Sequence, residues 1–235
     1  EINLTSTTVP MMNRIADLHD SLGVEFRLRA FCKAELFTDE QAAAMYRAGF
    51  RWILVGFEAG NDRILANINK KATRLDNTRC MEIATRHGLK VKALMSIGHP
   101  GESPESIEDT KQWLLSVSPA DFDCTVITTY PGTPYFDEAL ESRPGVWTYT
   151  QPRTGDKLHA LNVDFHRTAS YYKGRPGDYV AHTWTDRLSS EDLVRLRDRF
   201  EADVRTRLGI PYPTEQAAIQ FEHSMGMSGA SAVAS

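Results

Sequence analysis

Apolar and polar residues follow one another along residues 10–140 in patterns that predict alternating helices and strands. Apolar residues recur at helical spacing from Pro10 to Leu22, whereas Glu25 to Phe31 alternates apolar with polar residues, as a strand does. Short apolar runs at Trp52–Gly56 and Val91–Ile97 are typical of strands buried on both faces. With Asp123–Thr128, these segments predict four strands.

Helix signals separate these strands. Thr38 begins a capping box for a helix that ends near Gly49, and a further helix is predicted over Asp76–His87. Ser103, followed by proline and glutamate, is a strong start for a helix that runs to about Val117. Because the connections are short, the order favours an α/β fold with a parallel sheet and outer helices. Four strands are too few for a closed barrel, so the sheet is either open or the later part of a larger (β/α) barrel.

The composition changes after about residue 143 towards glycine, proline, threonine and aromatic residues. Three further strands are predicted there, over Val146–Thr150, His159–Phe165 and Tyr179–Trp184. Ser189 caps an amphipathic helix that is predicted to end at Leu208. We therefore divide the chain into an α/β part (1–142), an α+β extension (143–223) and a tail rich in small residues (224–235) that we expect to be disordered.

Charge and hydropathy exclude some functions. The 27 basic and 31 acidic residues are scattered, without a basic run that could neutralise a nucleic-acid backbone, so nucleic acid is not an expected partner. No apolar stretch approaches the ~20 residues that cross a bilayer, and we expect a cytoplasmic protein. The chain begins at Glu1 without an initiator methionine, which suggests a fragment or a processed chain.

The cysteines do not form a recognisable ligand set. Cys32, Cys80 and Cys124 are too far apart for a zinc or cluster motif, and each is predicted to be a small buried side chain. The histidines show no HExxH pattern either. No metal ligands are therefore assigned from the sequence.

The ends of the predicted strands are the first place to look for a ligand site, because ligands of parallel α/β sheets bind there. Glu58 follows a buried strand and lies between two glycines, where a carboxylate can reach ribose hydroxyls and a ligand can approach the backbone. The alternative is a structural ion pair of this carboxylate with Arg29, Lys33 or Arg63.

The turn from Gly98 to Glu102 also combines a strand end with glycines and an acid. It is either a ligand-binding turn or a tight connection in which Ser103 caps the next helix and Glu102 interacts with the helix dipole. His99 faces the presumed site in this turn, and we expect the other histidines to be structural or exposed.

The order of the motifs carries a resemblance to a known family. Six segments in sequence resemble the later strands of the radical S-adenosylmethionine (SAM) core: Phe26–Ala30, Ala48–Phe50, Val55–Gly60, Ile68–Thr73, Ile97–Ser103 and Tyr130–Pro134. The match covers roughly residues 3–140. The Pro-Gly-Glu-Ser turn and the Tyr-Pro-Gly-Thr-Pro loop resemble the branch that often carries an N-terminal cobalamin-binding domain and includes methyltransferases.

The resemblance implies a partial (β/α) barrel in which a 4Fe–4S cluster reduces SAM to methionine and a 5′-deoxyadenosyl radical. It implies that Glu58 holds the ribose of SAM, and that Lys70 and Thr73 position a helix start. The further cofactor contacts that it implies are polar groups at Arg29 and Ser96, close approach at Gly98, and an adenine border at Val126, Thr128 and Tyr130.

The sequence departs from the family at Ser96, where an apolar residue is usual, and more largely in two missing motifs. It contains neither the CxxxCxxC loop that holds the cluster nor the glycine-rich segment after the second strand, and we expect both to lie before Glu1. The chain alone is therefore not expected to hold the cluster or to cleave SAM. The leading hypothesis is the SAM- and substrate-binding part of a longer enzyme, a cobalamin-dependent methyltransferase that acts on a small molecule and takes electrons from a reductant protein.

Two alternatives come from other classes. The first is a non-catalytic module that keeps the fold and binds a nucleotide or a protein. The second is a metal-dependent α/β-barrel enzyme, such as an aldolase or a hydrolase, which needs carboxylates and histidines at several strand ends. Only Glu58, His99 and Glu102 meet that need, so it ranks last.

Overall fold

A computed structural model describes residues 2–3, 9–23, 27–163, 177 and 179–212 of the chain. Its strands are β1 (Ile2–Asn3), β2 (Leu28–Cys32), β3 (Phe50–Glu58), β4 (Lys90–Ile97), β5 (Asp121–Val126), β6 (Leu140–Arg143), β7 (Val146–Thr150), β8 (Lys157–Leu161) and β9 (Thr183–Thr185). Its helices are α1 (Val9–Leu22), α2 (Asp39–Arg47), α3 (Asp62–Asn67), α4 (Arg74–Arg86), α5 (Pro104–Val117), α6 (Pro134–Asp137) and α7 (Ser190–Leu208). A 3₁₀ turn covers Ala34–Leu36.

The first sheet is parallel, with its strands in the order β1-β2-β3-β4-β5. The predicted α/β alternation with outer helices is thus confirmed. The structure adds β1 and the short helix α3, which the pattern did not predict, and it ends the fourth predicted strand at Val126 rather than Thr128. Among the described residues β1 and β5 are the two edges, so the sheet is open.

Local capping fixes where the helices begin. The side chain of Thr38 accepts a hydrogen bond from the backbone N–H of Gln41 at the start of α2. Thr73 and Ser103 form reciprocal capping boxes at α4 and α5, and Ser189 does so at α7. A cap of this kind stabilises a helix by about 1 kcal/mol. The predicted helix starts therefore have a direct chemical cause.

The core lies between the parallel sheet and its helices. Ile53, Val55 and Phe57 of β3 are fully buried there, as alternating residues of one strand face. The register between β3 and β4 is interrupted between Gly56 and Glu58, at the end of β3 where the left-handed backbone of Glu58 begins the connection to α3. The strand pattern therefore breaks where the carboxylate is presented.

Side chains of α7 close the β5 edge of this sheet. The guanidinium group of Arg197 donates to the backbone carbonyl of Cys124. The carboxylate of Glu201 accepts from the backbone N–H of Cys124 at 3.0 Å. Arg205 donates to the carbonyl of Phe122 at 2.8 Å and forms an ion pair with Glu201. Unpaired strand edges invite association with other strands. Here the charged groups of a helix stand where a neighbouring strand would pair.

The extension is an antiparallel sheet with the strand order β6-β7-β8-β9. Strand β7 has the predicted bounds, β8 and β9 overlap their predictions, and β6 was not predicted. The predicted division after residue 142 falls within β6 and stays a prediction. Phe165, where the second predicted strand ends, and the tail 224–235 lie outside the described residues. No helix in the described ranges is long and apolar enough to span a membrane.

Candidate functional site

Glu58 ends β3 in a left-handed backbone conformation, with φ at +64°. This conformation costs a residue other than glycine roughly 1–2 kcal/mol. Gly56 leaves room for the side chain, because a Cβ atom there would lie 2.7 Å from Oε1 of Glu58. Gly60 allows close packing, since a Cβ atom there would lie 2.6 Å from the Cβ atom of Trp113. Strain held in place by its surroundings at a strand end is typical of a functional position.

The carboxylate of Glu58 has two partners. Nζ of Lys70 donates to Oε1 at 3.3 Å, and Oγ of Ser96 donates to Oε2 at 2.7 Å. An ionised carboxylate offers about four acceptor positions, of which these bonds use two. The side chain is 30 % exposed, so part of it can be reached from solvent. The ion pair forms with Lys70 and not with Arg29, Lys33 or Arg63, the partners that the structural alternative predicted.

His99 and Tyr135 join Glu58, Lys70 and Ser96 in one group of hydrogen-bonded side chains, the Glu58 cluster. Its Nε2 atom lies 2.8 Å from Oγ of Ser96, and its Nδ1 atom lies 3.4 Å from the hydroxyl of Tyr135. Burial lowers the pKa of His99 to about 4, so the ring is neutral at pH 7. Burial also raises the pKa of Tyr135, which therefore keeps its proton. Both rings act as neutral hydrogen-bonding groups.

Glu102 closes the turn after β4. One oxygen, Oε2, accepts from the backbone N–H groups of Gly98 and His99. The side chain is fully buried, and this burial raises the pKa of Glu102 to about 7. Ser103 caps α5 as predicted, whereas Glu102 binds the turn instead of the helix.

Gly98 is required by its backbone and by packing. Its φ is +91°, and a Cβ atom there would lie 3.1 Å from Cδ1 of Leu193 on α7 and 3.3 Å from Cγ1 of Val126. Side chains of the protein itself thus occupy the space that a Cβ atom at Gly98 would need.

The other predicted cofactor contacts, with one exception, also lie at the carboxyl ends of the strands of the parallel sheet. Ile97 pairs with Val126, and the chain then continues through the buried Thr128 to the half-buried Tyr130. The structure therefore places six of the seven predicted residues at the carboxyl ends of β3, β4 and β5: Glu58, Ser96, Gly98, Val126, Thr128 and Tyr130.

Arg29 is the exception. It pairs with Trp52 near the amino ends of β2 and β3, where it lines a cavity of about 360 Å³ together with Trp52 and Lys90. Glu58 lies six positions after Trp52 along β3, which corresponds to about 20 Å. The structure does not bring Arg29 together with the Glu58 cluster.

Two members of the cluster were missed or assigned another role. Lys70 matched a helix-start pattern, but its ammonium group binds Glu58. Tyr135 lies on the short helix α6, and no sequence signal connects it to His99, 36 residues away along the chain.

Residues 1–114 match the sequence model of the Radical SAM superfamily. This match covers just under half of the chain. The predicted resemblance is confirmed at this level.

Two methyltransferases are similar to this chain over part of their length. An uncharacterised methyltransferase of Pyrococcus horikoshii is 29 % identical over 120 residues, which cover 50 % of this chain and 26 % of that protein. The bacteriochlorophyllide d C-12(1)-methyltransferase of Chlorobaculum tepidum is 29 % identical over 101 residues, covering 42 % and 22 %. The aligned residues thus span about a quarter of the length of each relative.

The fold is similar to that of TsrM from Kitasatospora setae, a radical SAM methyltransferase whose structure holds cobalamin and a 4Fe–4S cluster. The two share 17 % sequence identity with a TM-score of 0.57, over 85 % of this chain and 40 % of TsrM. This similarity confirms the predicted fold class, a partial (β/α) core of the radical SAM type.

The cysteines of this chain do not fit an iron–sulfur cluster. Cys32, Cys80 and Cys124 are all buried and free, and burial raises the pKa of the Cys32 thiol to about 12. Burial likewise raises the pKa of the other two thiols. Within the ranges that the structure describes, no three His, Cys, Asp or Glu residues form a group that could hold a metal ion. The prediction that these cysteines are small buried side chains is confirmed.

Proposed function

We propose that this chain is the SAM- and substrate-binding part of a radical SAM methyltransferase that uses cobalamin. The observation that carries the proposal is the carboxylate of Glu58, which a strained backbone and two hydrogen bonds hold at the carboxyl end of β3.

This carboxylate suits the ribose of SAM. Two of its acceptor positions are not used by Lys70 or Ser96, which is the number that two neighbouring hydroxyl groups require. Hydrogen bonds from a neutral hydroxyl to an ionised carboxylate contribute about 1.5–3 kcal/mol each. The left-handed backbone at Glu58 supports a ligand role, because such strain is retained where geometry matters for function.

The remaining contacts to SAM are assigned by their position at the carboxyl ends of β4 and β5. Ser96 acts on the cofactor through Glu58, to which its only proton is given. Val126, which ends β5 beside Gly98, would border the adenine together with Thr128 and Tyr130 of the segment that follows. Arg29 is left out of this set because of its position at the opposite edge.

The reaction class is inferred from the relatives. Both curated relatives reported above are named methyltransferases, and TsrM, which shares the fold, binds cobalamin. The substrate is proposed to be a small molecule, and a reductant protein is the proposed electron donor. In the full enzyme a 4Fe–4S cluster would supply the electron that cleaves SAM, with ligands other than the three buried cysteines of this chain.

Calorimetric titration of the purified chain with SAM tests the proposed binding site. We expect the wild-type chain to bind SAM and the Glu58→Gln variant to bind it at least about tenfold more weakly, because charge-assisted bonds to ribose are lost. Glu82→Gln removes the same charge from the exposed face of α4 and should bind SAM like the wild type. Absence of SAM binding to the folded wild-type chain, or equal affinities of the Glu58 and Glu82 variants, would contradict the proposal.

The second candidate is a non-catalytic nucleotide-binding module on the same fold, and it uses the same Glu58 site. The coding sequence upstream of Glu1 distinguishes the two. The methyltransferase proposal predicts a CxxxCxxC motif there, followed by a glycine-rich segment. An in-frame stop codon with a start codon next to Glu1 would favour the binding module.

A further inference from the structure

A row of hydrogen-bonding side chains leads from Tyr135 on α6 to Glu58 at the end of β3. The hydroxyl of Tyr135 lies 3.4 Å from Nδ1 of His99, Nε2 of His99 lies 2.8 Å from Oγ of Ser96, and Oγ of Ser96 lies 2.7 Å from Oε2 of Glu58. His99 and Ser96 are 4 % and 6 % exposed, so water does not compete effectively for these bonds.

The hydrogen bonds of this row run in one direction. The hydroxyl of Ser96 has a single proton, which it donates to Glu58, so it can only accept from His99. The neutral ring of His99 must then carry its proton on Nε2, which leaves Nδ1 as an acceptor. The hydroxyl of Tyr135 is the donor placed to fill that acceptor. Every donor in the row therefore points towards the carboxylate.

This direction has a consequence for the carboxylate. Glu58 is 30 % exposed, and an exposed carboxylate with a single ion pair to Lys70 would be free to rotate about its terminal bond. The bond from Ser96 fixes the second oxygen, and Ser96 is itself fixed by His99. Tyr135 selects the one ring tautomer that can donate to Ser96.

We propose that Tyr135 and His99 are positioning residues for Glu58, which hold its carboxylate through Ser96 in the orientation that receives the two ribose hydroxyls. The inference rests on the proposed function of Glu58 as the ribose ligand. It adds a residue from α6, beyond the residues 1–114 that match the family, to the site at β3.

The tautomer of His99 can be tested without any ligand. ¹⁵N NMR of the histidine rings at pH 7 should show the Nε2–H tautomer for His99, with an Nδ1 shift that indicates an accepted hydrogen bond. In the Tyr135→Phe variant, the Nδ1 signal should move towards that of a free ring nitrogen, while Tyr46→Phe, on the outer helix α2, should leave it unchanged. An Nδ1–H tautomer in the wild type, or an Nδ1 signal insensitive to Tyr135→Phe, would overturn the proposal.

The effect on the ribose site is measured as the affinity ratio between adenosine and 2′,3′-dideoxyadenosine. We expect Tyr135→Phe to reduce this ratio about three- to tenfold and to weaken SAM binding to a similar extent, whereas Tyr46→Phe keeps both at the wild-type level. His99→Leu should lower the ratio at least as far as Tyr135→Phe, and His99→Gln, which keeps an N–H donor for Ser96, should recover part of it. A merely structural role would change the melting temperature without changing this ratio.

The two proposals can fail separately. If the wild-type chain binds neither SAM nor adenosine, the proposed function of Glu58 fails, and the NMR result still decides whether the row exists. If the wild type binds adenosine with a preference for the diol and both the Tyr135→Phe and His99→Leu variants keep that preference, the positioning role is wrong and the ribose site stands.

Discussion

The hydroxyl group of Ser96 lies 2.7 Å from Oε2 of Glu58, so that one side-chain hydrogen bond joins the carboxyl ends of β4 and β3. Ser96 differs from the apolar residue that the family resemblance leads one to expect at this position. Its side chain is buried and connects the carboxylate to His99. The bond therefore couples the stability of the strand ends to the geometry of the proposed ligand site.

The Ser96→Ala variant should lose stability and SAM affinity together. It leaves the buried N–H of His99 without its acceptor, which costs about 1–3 kcal/mol. Urea denaturation measures this loss, and calorimetry measures the affinity. Ser116→Ala, which removes a hydroxyl from the exposed side of α5, should change neither. Equal stability of the two variants would argue against the bond.

Glu102 and His99 should change the free energy of unfolding in opposite directions as pH rises. The pKa of Glu102 is raised to about 7, so the folded state holds more protons and stability falls as pH rises from about 4.5 to 7. The pKa of His99 is lowered to about 4, so the unfolded state holds more protons and stability rises from about pH 4 to 6.5. Each slope reaches at most about 1.4 kcal/mol per pH unit.

Single variants separate these two slopes. Relative to the wild type, Glu102→Gln should become more stable as pH increases from 4.5 to 7, because the destabilising ionisation is gone. His99→Gln should become relatively less stable over pH 4 to 6.5. Denaturant unfolding at several pH values measures both, with Glu82→Gln as a control expected to run parallel to the wild type. Parallel curves for all the proteins would refute the burial of these two groups.

The glycines on either side of Glu58 should respond differently to alanine. At Gly56 the added Cβ atom would meet the end of a flexible side chain, Oε1 of Glu58, so Gly56→Ala should displace the carboxylate and weaken SAM binding with little loss of stability. At Gly60 it would meet the Cβ atom of Trp113 and the backbone of Thr110, so Gly60→Ala should mainly destabilise the fold. Thermal melts and SAM titrations compare the two. The reverse pattern would contradict the described geometry.

The contacts of α7 with the β5 edge of the sheet should affect stability alone. Glu201→Ala would leave the buried cations Arg197 and Arg205 without their shared carboxylate, which should cost about 3–5 kcal/mol. Glu191→Ala, on the exposed first turn of the same helix, should have little effect. Urea denaturation compares the two, and similar midpoints would show that the edge is held by other contacts.

Much of the fold could be predicted from periodicity and capping, because those signals are local. Thr38, Ser103 and Ser189 each cap a helix as the sequence indicates. The short helix α3 was missed because its six residues complete fewer than two turns, too few to show a period. The burial of Arg197 was also not predictable, since a polar residue facing a strand edge follows the same helical pattern as one facing solvent.

The site could be predicted as far as strand ends determine it. Glu58 and Ser96 follow from the position of their strands, but the strand predicted over Glu25–Phe31 in fact covers Leu28–Cys32, which moves Arg29 to the amino end of β2. Tyr135 belongs to the site only because tertiary structure brings α6 against the turn after β4. No local sequence pattern predicts such a contact.

A crystal structure of the chain with bound S-adenosylhomocysteine is the sharpest test of the proposed ribose site at Glu58. We expect both ribose hydroxyls within about 3 Å of the carboxylate oxygens of Glu58, with the ion pair to Lys70 and the bond from Ser96 retained. A nucleoside bound elsewhere, or a ribose that faces away from Glu58, would contradict it.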